Sequence, residues 1–404
     1  MQFVNTEYLN MAGTFAEITG LKVIPRPNGS LVLTRKFIEG MTYYASKWPG
    51  HVVAVMQPDD RESPNLDNVE VRPEDIPFEV KCLRYDSPEL REFLVTCGLV
   101  HWGPHHLLHD VADALGRAGT PSVYCTEYSL QTRCQIIAAE VSNPLRRMRR
   151  YFWEWQEERR IRKNIPKVSG FEANGTPTFE SYGSLSAAAR LFFDNRMASA
   201  LMIANEQLER RLHDMESTTR PLRLVFSGRL NRMKGALDVI SVAEALNRKG
   251  ADFELSICGG GEVEAEMRRR IVSSGLTKRV TMKGVLDFSE ELVPFVKSHA
   301  DIFVCCHKQG DPSCTYLETF GCGVPIAGYL NEAFAGLLRH VDAGWGVPLN
   351  EPEMLADLLI DLSGRRAEVS EKARRALAFA RENCMETTFE RRVDFFKQCA
   401  KLDA

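Results

Sequence analysis

The order of elements between Asp301 and Tyr329 constrains this chain more than any other feature. Asp301 to Cys306 is an apolar run that reads as a buried strand. A polar loop beginning at His307 follows, then a short helical segment carrying Glu318. The Gly323-Val324-Pro325 turn leads into a second apolar run, Val324 to Tyr329. Strand, loop, helix and strand make a βαβ unit, whose ligand crevice lies outside the carboxyl ends of its strands. Backbone N–H groups at the helix start are free to meet an anion. Glu318, in the first turns of that helix, suits a neutral hydroxyl such as a ribose diol. A carboxylate does not belong beside phosphate, so a site with both needs cations from elsewhere. The loop from Ser227 to Gly235 supplies Arg229 and Lys234.

The second half of the chain repeats this rhythm. Leu222–Phe226, Phe253–Cys258 and Arg279–Lys283 read as further strands. Val239, Val242, Ala243 and Leu246 share one helix face, and Gly250 ends that helix. Regular alternation of this kind predicts an α/β fold with a parallel sheet covered on both faces. With 404 residues the chain is too long for one core. The polar run Ser217 to Pro221 is the natural boundary. The expected domains are therefore 1–218 and 219–385, with a C-terminal helix over 386–404 packing back on the first domain.

The first half is less regular. Leu21 to Ser30 reads as a strand ending in a Pro/Gly turn, followed by a helix to about Lys47. Gly29 in that turn would let backbone approach a ligand closely. Leu99–Trp102 and Ser122–Thr126 are strands whose carboxyl ends carry His101, His105, His106 and Glu127. His101, His105 and Glu127 are candidate acceptor-binding groups. Three histidines within six residues raise the question of metal, but the i, i+4 pairing with an outside ligand is missing. No metal or cofactor is expected.

Composition removes other classes. A net charge of −3 argues against a general nucleic-acid binder, and eleven cysteines without a Cys-x-x-Cys pair fit reduced thiols. No apolar run reaches the ~20 residues of a membrane span. Met1 to Tyr8 lacks the basic and apolar regions of a secretory leader, so a cytoplasmic protein is expected. Gly259-Gly260-Gly261 is followed by Glu262-Val263-Glu264, which fails the dinucleotide fingerprint, and no P-loop occurs. What remains is a Gly-Arg…Lys-Gly loop and a small-residue helix start with a glutamate on one edge. Two fixed cations of this kind can neutralise a diphosphate without metal.

Asn143 to Lys163 is dense in arginine and aromatics within a mildly acidic chain. One reading, spanning Arg146 to Lys163, is a basic amphipathic helix on an anionic membrane surface. The other is a solvated helix with its aromatics in the core and i, i+4 Glu/Arg pairs outside.

Five motifs occur in one order: Ser227-Gly-Arg-Leu-x-x-x-Lys-Gly235, Leu255-x-Ile-Cys-Gly-x-Gly261, Val280-x-x-x-Gly284, Ala300-Asp-Ile-Phe-Val304 and Leu317-Glu-Thr-Phe-Gly-Cys-Gly-Val-Pro325. Together they resemble the C-terminal domain of retaining glycosyltransferases of family four, which have the GT-B fold. Asp311-Pro-Ser-Cys-Thr-Tyr-Leu-Glu318 is similar to bacterial exopolysaccharide and lipopolysaccharide members. The resemblance implies two facing Rossmann-like domains with a cleft between them. A nucleotide sugar, UDP- ahead of GDP-linked, would sit mainly on the second domain. A glycan or lipid-linked acceptor would sit mainly on the first, on the inner face of the cytoplasmic membrane. Arg229 and Lys234 match the diphosphate pair, and Glu318 matches the ribose-binding glutamate. Ser313, Cys314 and Thr315 match the phosphate-contacting loop, with Gly260 in the glycine run beside it. Val285 and Leu286 fall near the base, and Gly29 matches the first-strand turn that closes on the donor. Where the family has a first glutamate, this chain has Gly310, so Asp311 is the candidate to touch the transferred sugar after a one-residue shift. Glu127 stands where relatives carry a strand-end histidine and joins Arg229, Lys234 and Asp311 as a candidate catalytic group. The resemblance implies a retaining hexosyltransferase. The alternatives are a degenerate transferase that binds nucleotide sugar or a partner, and a sugar-nucleotide epimerase on the same fold.

Overall fold

The computed structural model describes residues 13–59 and 67–402. The stretch Met1 to Tyr8, read above for a leader, and the last two residues of the expected C-terminal segment lie outside the described residues.

Two parallel sheets organise the chain. The first is built from β1 (Phe15–Pro25), β2 (Leu31–Thr34), β3 (Val52–Pro58), β4 (Asn68–Val71), β5 (Glu79–Cys82), β6 (Leu99–Trp102), β7 (Ser122–Thr126), β8 (Gly170–Asn174) and β9 (Ala189–Phe192). Seven of these run parallel in the order β5-β3-β1-β6-β7-β8-β9, and β2 and β4 pair antiparallel at the outer end of β1. The second sheet holds β10 (Leu222–Ser227), β11 (Phe253–Cys258), β12 (Val280–Gly284), β13 (Ile302–Cys305), β14 (Ile326–Tyr329) and β15 (Gly344–Val347), in the order β12-β11-β10-β13-β14-β15. All its pairings are parallel. Strand order reverses next to β10, and the crevice at that switch point opens beside the Arg229 loop.

The hairpin corrects one expectation. Gly29 does not lie between a strand and a helix facing a donor. It sits in the exposed turn joining β1 to β2, where Ile24 pairs with Val32 and Pro25 with Leu31. Its N–H donates to the Arg26 carbonyl, and nothing lies within 4 Å of where a Cβ would be. The Leu31–Thr34 stretch is an alternating apolar strand too short to stand out in the sequence. The helix then begins at Arg35 with Thr34 as its cap, Thr34 Oγ1 accepting from the Phe37 N–H.

Each sheet has its own core. Helix Asn205–Ser217, left in the first domain by a boundary at residue 218, packs Leu208, Leu212 and Met215 into the second core, as do Met197 and Ile203. The last helix, Met385–Ala400, crosses back: Phe389, Val393 and Phe396 join Phe15, Tyr44 and Trp48 of the first sheet's core. Phe15 meets Tyr44, Trp48 and Phe396 at ring-centroid distances of 5.3–5.4 Å. All eleven cysteines are free.

Candidate active site

The carboxyl ends of the two sheets face one another across a cleft holding a cavity of about 640 Å³. Ser227, Gly228, Arg229, Gly259, Val285 and Leu286 form its second-domain wall. Arg35, Lys36 and Glu39, from the helix that starts at Arg35, face them together with Arg196. Two glycines bring the loops of the wall together. At Gly259, φ is +133°, and a Cβ there would lie 1.9 Å from the Gly228 carbonyl oxygen. Gly259 therefore lines the cavity where Gly260 was expected. Gly260, half-buried like Gly259, lies beside it, its carbonyl accepting from the Leu230 N–H and a Cβ there 3.1 Å from Val285. At Gly235, φ is +64°, and the chain passes so close to β13 that a Cβ would strike the Cys306 carbonyl.

The two cations of that loop have different surroundings. Arg229 is exposed to the cavity and makes no ion pair among the described residues. Lys234 is 8% exposed, and its Nζ lies 2.6 Å from Asp311 Oδ2 and 3.4 Å from Ser313 Oγ. Burial opposes ionisation of Asp311, but the Lys234 ammonium overrides it and holds the carboxyl below its usual range. Gln309 Nε2 also donates to Asp311, at 3.2 Å. Beside the pair, both ring nitrogens of His307 and Oε1 of Gln309 are buried without a protein hydrogen-bond partner. Burial and the nearby Lys234 push His307 well below its ordinary value, so its ring is neutral, with one donor and one acceptor to offer. A histidine at a strand end has no signature of its own, so nothing in the sequence marks His307.

First-domain groups reach across to the helix Thr315–Gly321. Lys36 Nζ lies 2.5 Å from Asp194 Oδ2 and 3.0 Å from Cys314 Sγ. Arg196 Nε lies 3.2 Å from Glu318 Oε1, and its guanidinium stacks 3.9 Å over Phe288. Burial raises Glu318, and Arg196 and Lys36 pull it back. Arg196, Lys36 and Asp194 carried no recognisable motif. Only the facing of the two domains brings them to the site.

Gly310 is enclosed. A Cβ there would lie 2.8 Å from Glu332 Cβ and 2.9 Å from Thr132 Oγ1. Its N–H donates to Gln135 Oε1 and its carbonyl accepts from Thr132 Oγ1, while Ser129 Oγ donates to Glu332 Oε2 at 2.8 Å. First-domain hydroxyls and a second-domain glutamate thus fill the space that a larger residue 310 would need.

Glu127 follows β7 and opens to the cleft. Exposed to the cleft, it is still partly desolvated by the facing domain, which pushes its pKa up to about 7, with the Asp311 and Asp194 carboxylates adding and Lys36 and Lys234 opposing. His105 lies beyond β6, its Nδ1 accepting from the Leu107 N–H and its Nε2 3.4 Å from Gln57 Nε2. Burial, with His106 and His109 nearby, lowers its pKa to about 4. His101 does not face the cleft, which corrects its assignment as an acceptor group. It is buried within the sheet, bonded through Nδ1 to Glu17 and 3.5 Å through Nε2 from Glu172, under the last helix. Its strand position was legible, but not which side of the sheet its side chain takes. His101, Cys125 and Glu172 come within 4.8 Å of one another, a spacing that suits a metal. The Arg392 guanidinium fills that need for positive charge: Nε lies 2.9 Å from Glu172 Oε2.

Residues 212–380 match the family model described as glycosyl transferases group 1. Among curated proteins, the chain is 28% identical over 155 residues to the amylovoran biosynthesis glycosyltransferase AmsK of Erwinia amylovora, covering 37% of this chain and 38% of that protein. It is 26% identical over 149 residues to the putative colanic acid biosynthesis glycosyltransferase WcaL of Salmonella typhimurium, covering 35% and 36%. The matches thus span less than two thirds of these relatives' own length. Whole-chain likeness comes from solved structures. Anabaena HepE in complex with UDP matches with TM-score 0.63 at 14% identity, covering 94% of this chain and 98% of that one. WaaG, a glycosyltransferase involved in lipopolysaccharide biosynthesis, matches with TM-score 0.59 at 13% identity, covering 95% and 99%. These likenesses show the fold, which is GT-B.

Proposed function

We propose, for a chain whose residues 212–380 match the group 1 glycosyltransferases and whose fold is GT-B, that it transfers a hexosyl group with retention. The donor is a nucleotide sugar, UDP- ahead of GDP-linked. The acceptor is a glycan or lipid-linked glycan of bacterial surface polysaccharide synthesis, met at the inner face of the cytoplasmic membrane. No helix among the described residues is long and apolar enough to cross that membrane.

One observation carries the reading. Arg229, without an ion pair among the described residues, stands in a 640 Å³ interdomain cavity, beside a buried Lys234–Asp311 pair and in one cleft with Glu318. Arg229 and Lys234 would stabilise the departing diphosphate, and Val285 and Leu286 would flank the base. Glu318 would bind the ribose, with Arg196 holding its carboxylate in place. Backbone of the Ser313–Thr315 stretch would meet phosphate. Asp311 would face the transferred sugar. Glu127 and His105 would hold the acceptor. The bond from the anomeric carbon to the β-phosphate oxygen breaks, and the acceptor oxygen bonds that carbon from the same face. Its proton passes to the leaving phosphate. Domain closure excludes water, which otherwise takes the sugar.

Thermal stabilisation by UDP, GDP and ADP tests the reading on the native protein and on Arg229→Ala. Binding at 100 times Kd adds ~2.7 kcal/mol of stability. The expected result is a shift with UDP that Arg229→Ala loses; no shift with any of the three refutes the donor site. The enclosure of Gly310 favours a second reading, a transferase that binds donor without turnover. UDP stabilisation without sugar transfer or donor hydrolysis would select it.

A further inference from the structure

The helix Pro144–Asn164 is packed the opposite way from an ordinary surface helix. Asn143 caps it, accepting from the Arg146 N–H, and Pro144 opens it. Its buried residues are Glu154, Glu157, Glu158, Ile161 and Asn164. Arg133 of the preceding helix, Leu130–Glu140, holds Glu154 at 2.8 Å and Glu158 at 2.9 Å, and the Tyr182 hydroxyl donates to Glu158 at 2.6 Å. His109 Nε2 lies 2.9 Å from Glu157. The acids that dilute this segment's charge in sequence are therefore spent inside the protein.

The outer face carries the apolar residues. Leu145 is 79% exposed, Met148 69% and Phe152 59%, with Trp155 at 44%. Spaced at i, i+3, i+7 and i+10, they form one stripe. Phe152 stacks on Trp155, and the Arg159 guanidinium lies 3.5 Å over the Trp155 ring. Arg146, Arg149, Arg159 and Lys163 make no ion pair among the described residues. An exposed apolar stripe flanked by unpaired cations is complementary to an anionic bilayer surface, and the arginines disfavour a second copy of the same positive helix.

We infer that the tip of this helical hairpin docks on an anionic lipid surface, with Leu145, Met148, Phe152 and Trp155 in the interface and the arginines on the headgroups. Gln135 and Ala139, on the other arm, line a cavity of about 210 Å³ shared with Lys308 and Gln309. The docked hairpin would thus bring the edge of the candidate site to the lipid surface. This gives the proposed reaction its membrane, and vesicle binding is measured without any transfer assay, so the two readings fail separately.

The test is sedimentation with phosphatidylcholine vesicles, plain or containing roughly one third phosphatidylglycerol. Binding is expected only to the anionic vesicles. Arg146→Gln with Arg149→Gln should weaken it about 25-fold, on the order of fivefold for each charge near the surface. Phe152→Ser with Trp155→Ser should weaken it by roughly tenfold or more. Both pairs are exposed, so UDP stabilisation should stay as in the parent chain. Equal binding to neutral vesicles, unchanged binding in either variant, or no binding at all overturns the inference. Self-association abolished by Phe152→Ser would assign the stripe to a second copy instead, and overturns it too.

Discussion

Two buried charge clusters lie in this molecule, and they are built differently. In the first domain, Glu172 is fully buried between Arg392 and His101, and aromatic rings of Tyr44, Phe192, Phe389 and Phe396 surround the Arg392 guanidinium. Burial works against ionisation of Glu172, but the charges of Arg392 and His101 hold it below its usual range. The second cluster, Lys234 with Asp311, borders the cleft and has the unpartnered His307 and Gln309 atoms beside it, with Arg229 open to solvent. The same pairing of charges fastens a helix in one place and borders an open cleft in the other. Orphaned polar atoms do not separate the two clusters, since Glu172 Oε1 and the Tyr44 hydroxyl are also buried without a partner; access to the cleft does.

The largest effect should come from the closed cluster. Arg392→Met leaves Glu172 buried without its partner and should cost ~3–5 kcal/mol in denaturant unfolding. Nucleotide binding by the folded fraction should be unchanged. The cluster's stabilisation by Glu172 is present above the ordinary carboxylate range and is lost as pH falls through the depressed value. A cost under ~1 kcal/mol would make this cluster unimportant to the fold and break the comparison.

Arg229→Ala should act in the opposite sense. Transfer should fall on the order of 10²–10³-fold, about 3 kcal/mol of transition-state stabilisation. Stability should move by no more than ~0.5 kcal/mol, since the side chain is exposed and has no ion pair among the described residues. Unfolding and initial rates on one preparation measure both.

Asp311→Asn should be intermediate, costing ~2 kcal/mol because the buried Lys234 loses a charged partner. Adding Lys234→Met should restore most of that stability and none of the transfer. Restored transfer would place both residues in the structural class with Arg392.

The smallest effect concerns Glu127. Its pKa is raised to about 7, so the folded protein holds a proton that the unfolded chain releases at lower pH. Stability should therefore decline as pH rises from the ordinary carboxylate range, about 4.3, through 7. Glu127→Gln should flatten that slope in melting temperature between acid and neutral pH. Its transfer profile should lose the inflection near 7. An unchanged slope would show that Glu127 titrates like an ordinary surface carboxylate.

Legibility divides along the chain. In the second half, apolar strands ending in glycine and polar loops mark where the sheet's carboxyl edge must lie. Arg229, Lys234, Val285, Leu286 and Asp311 all reach the cleft or its border from that edge. The first half misled at Gly29, because a two-strand hairpin intervenes before the helix, and at His101, because the last helix covers that face of the sheet. The helix over 144–164 reversed its ordinary polarity. Arg133, His109 and Tyr182 supply enough partners to bury three glutamates, and no helical periodicity announces partners lying elsewhere in the chain.

By itself the sequence determined the alternation of strand and helix, the parallel sheet of the second half and the loops that could carry cations. These follow from local periodicity and turn chemistry, which neighbouring residues settle among themselves. The tertiary structure alone decided that Lys36 and Arg196 reach Cys314 and Glu318, that Glu332 and Thr132 close the space at Gly310, and that Arg392 neutralises Glu172. The contacts Arg196–Glu318, Thr132–Gly310, Arg392–Glu172 and Lys36–Cys314 join residues 122 to 278 positions apart. Their energies depend on desolvation by whole domains, and no stretch of sequence contains that information.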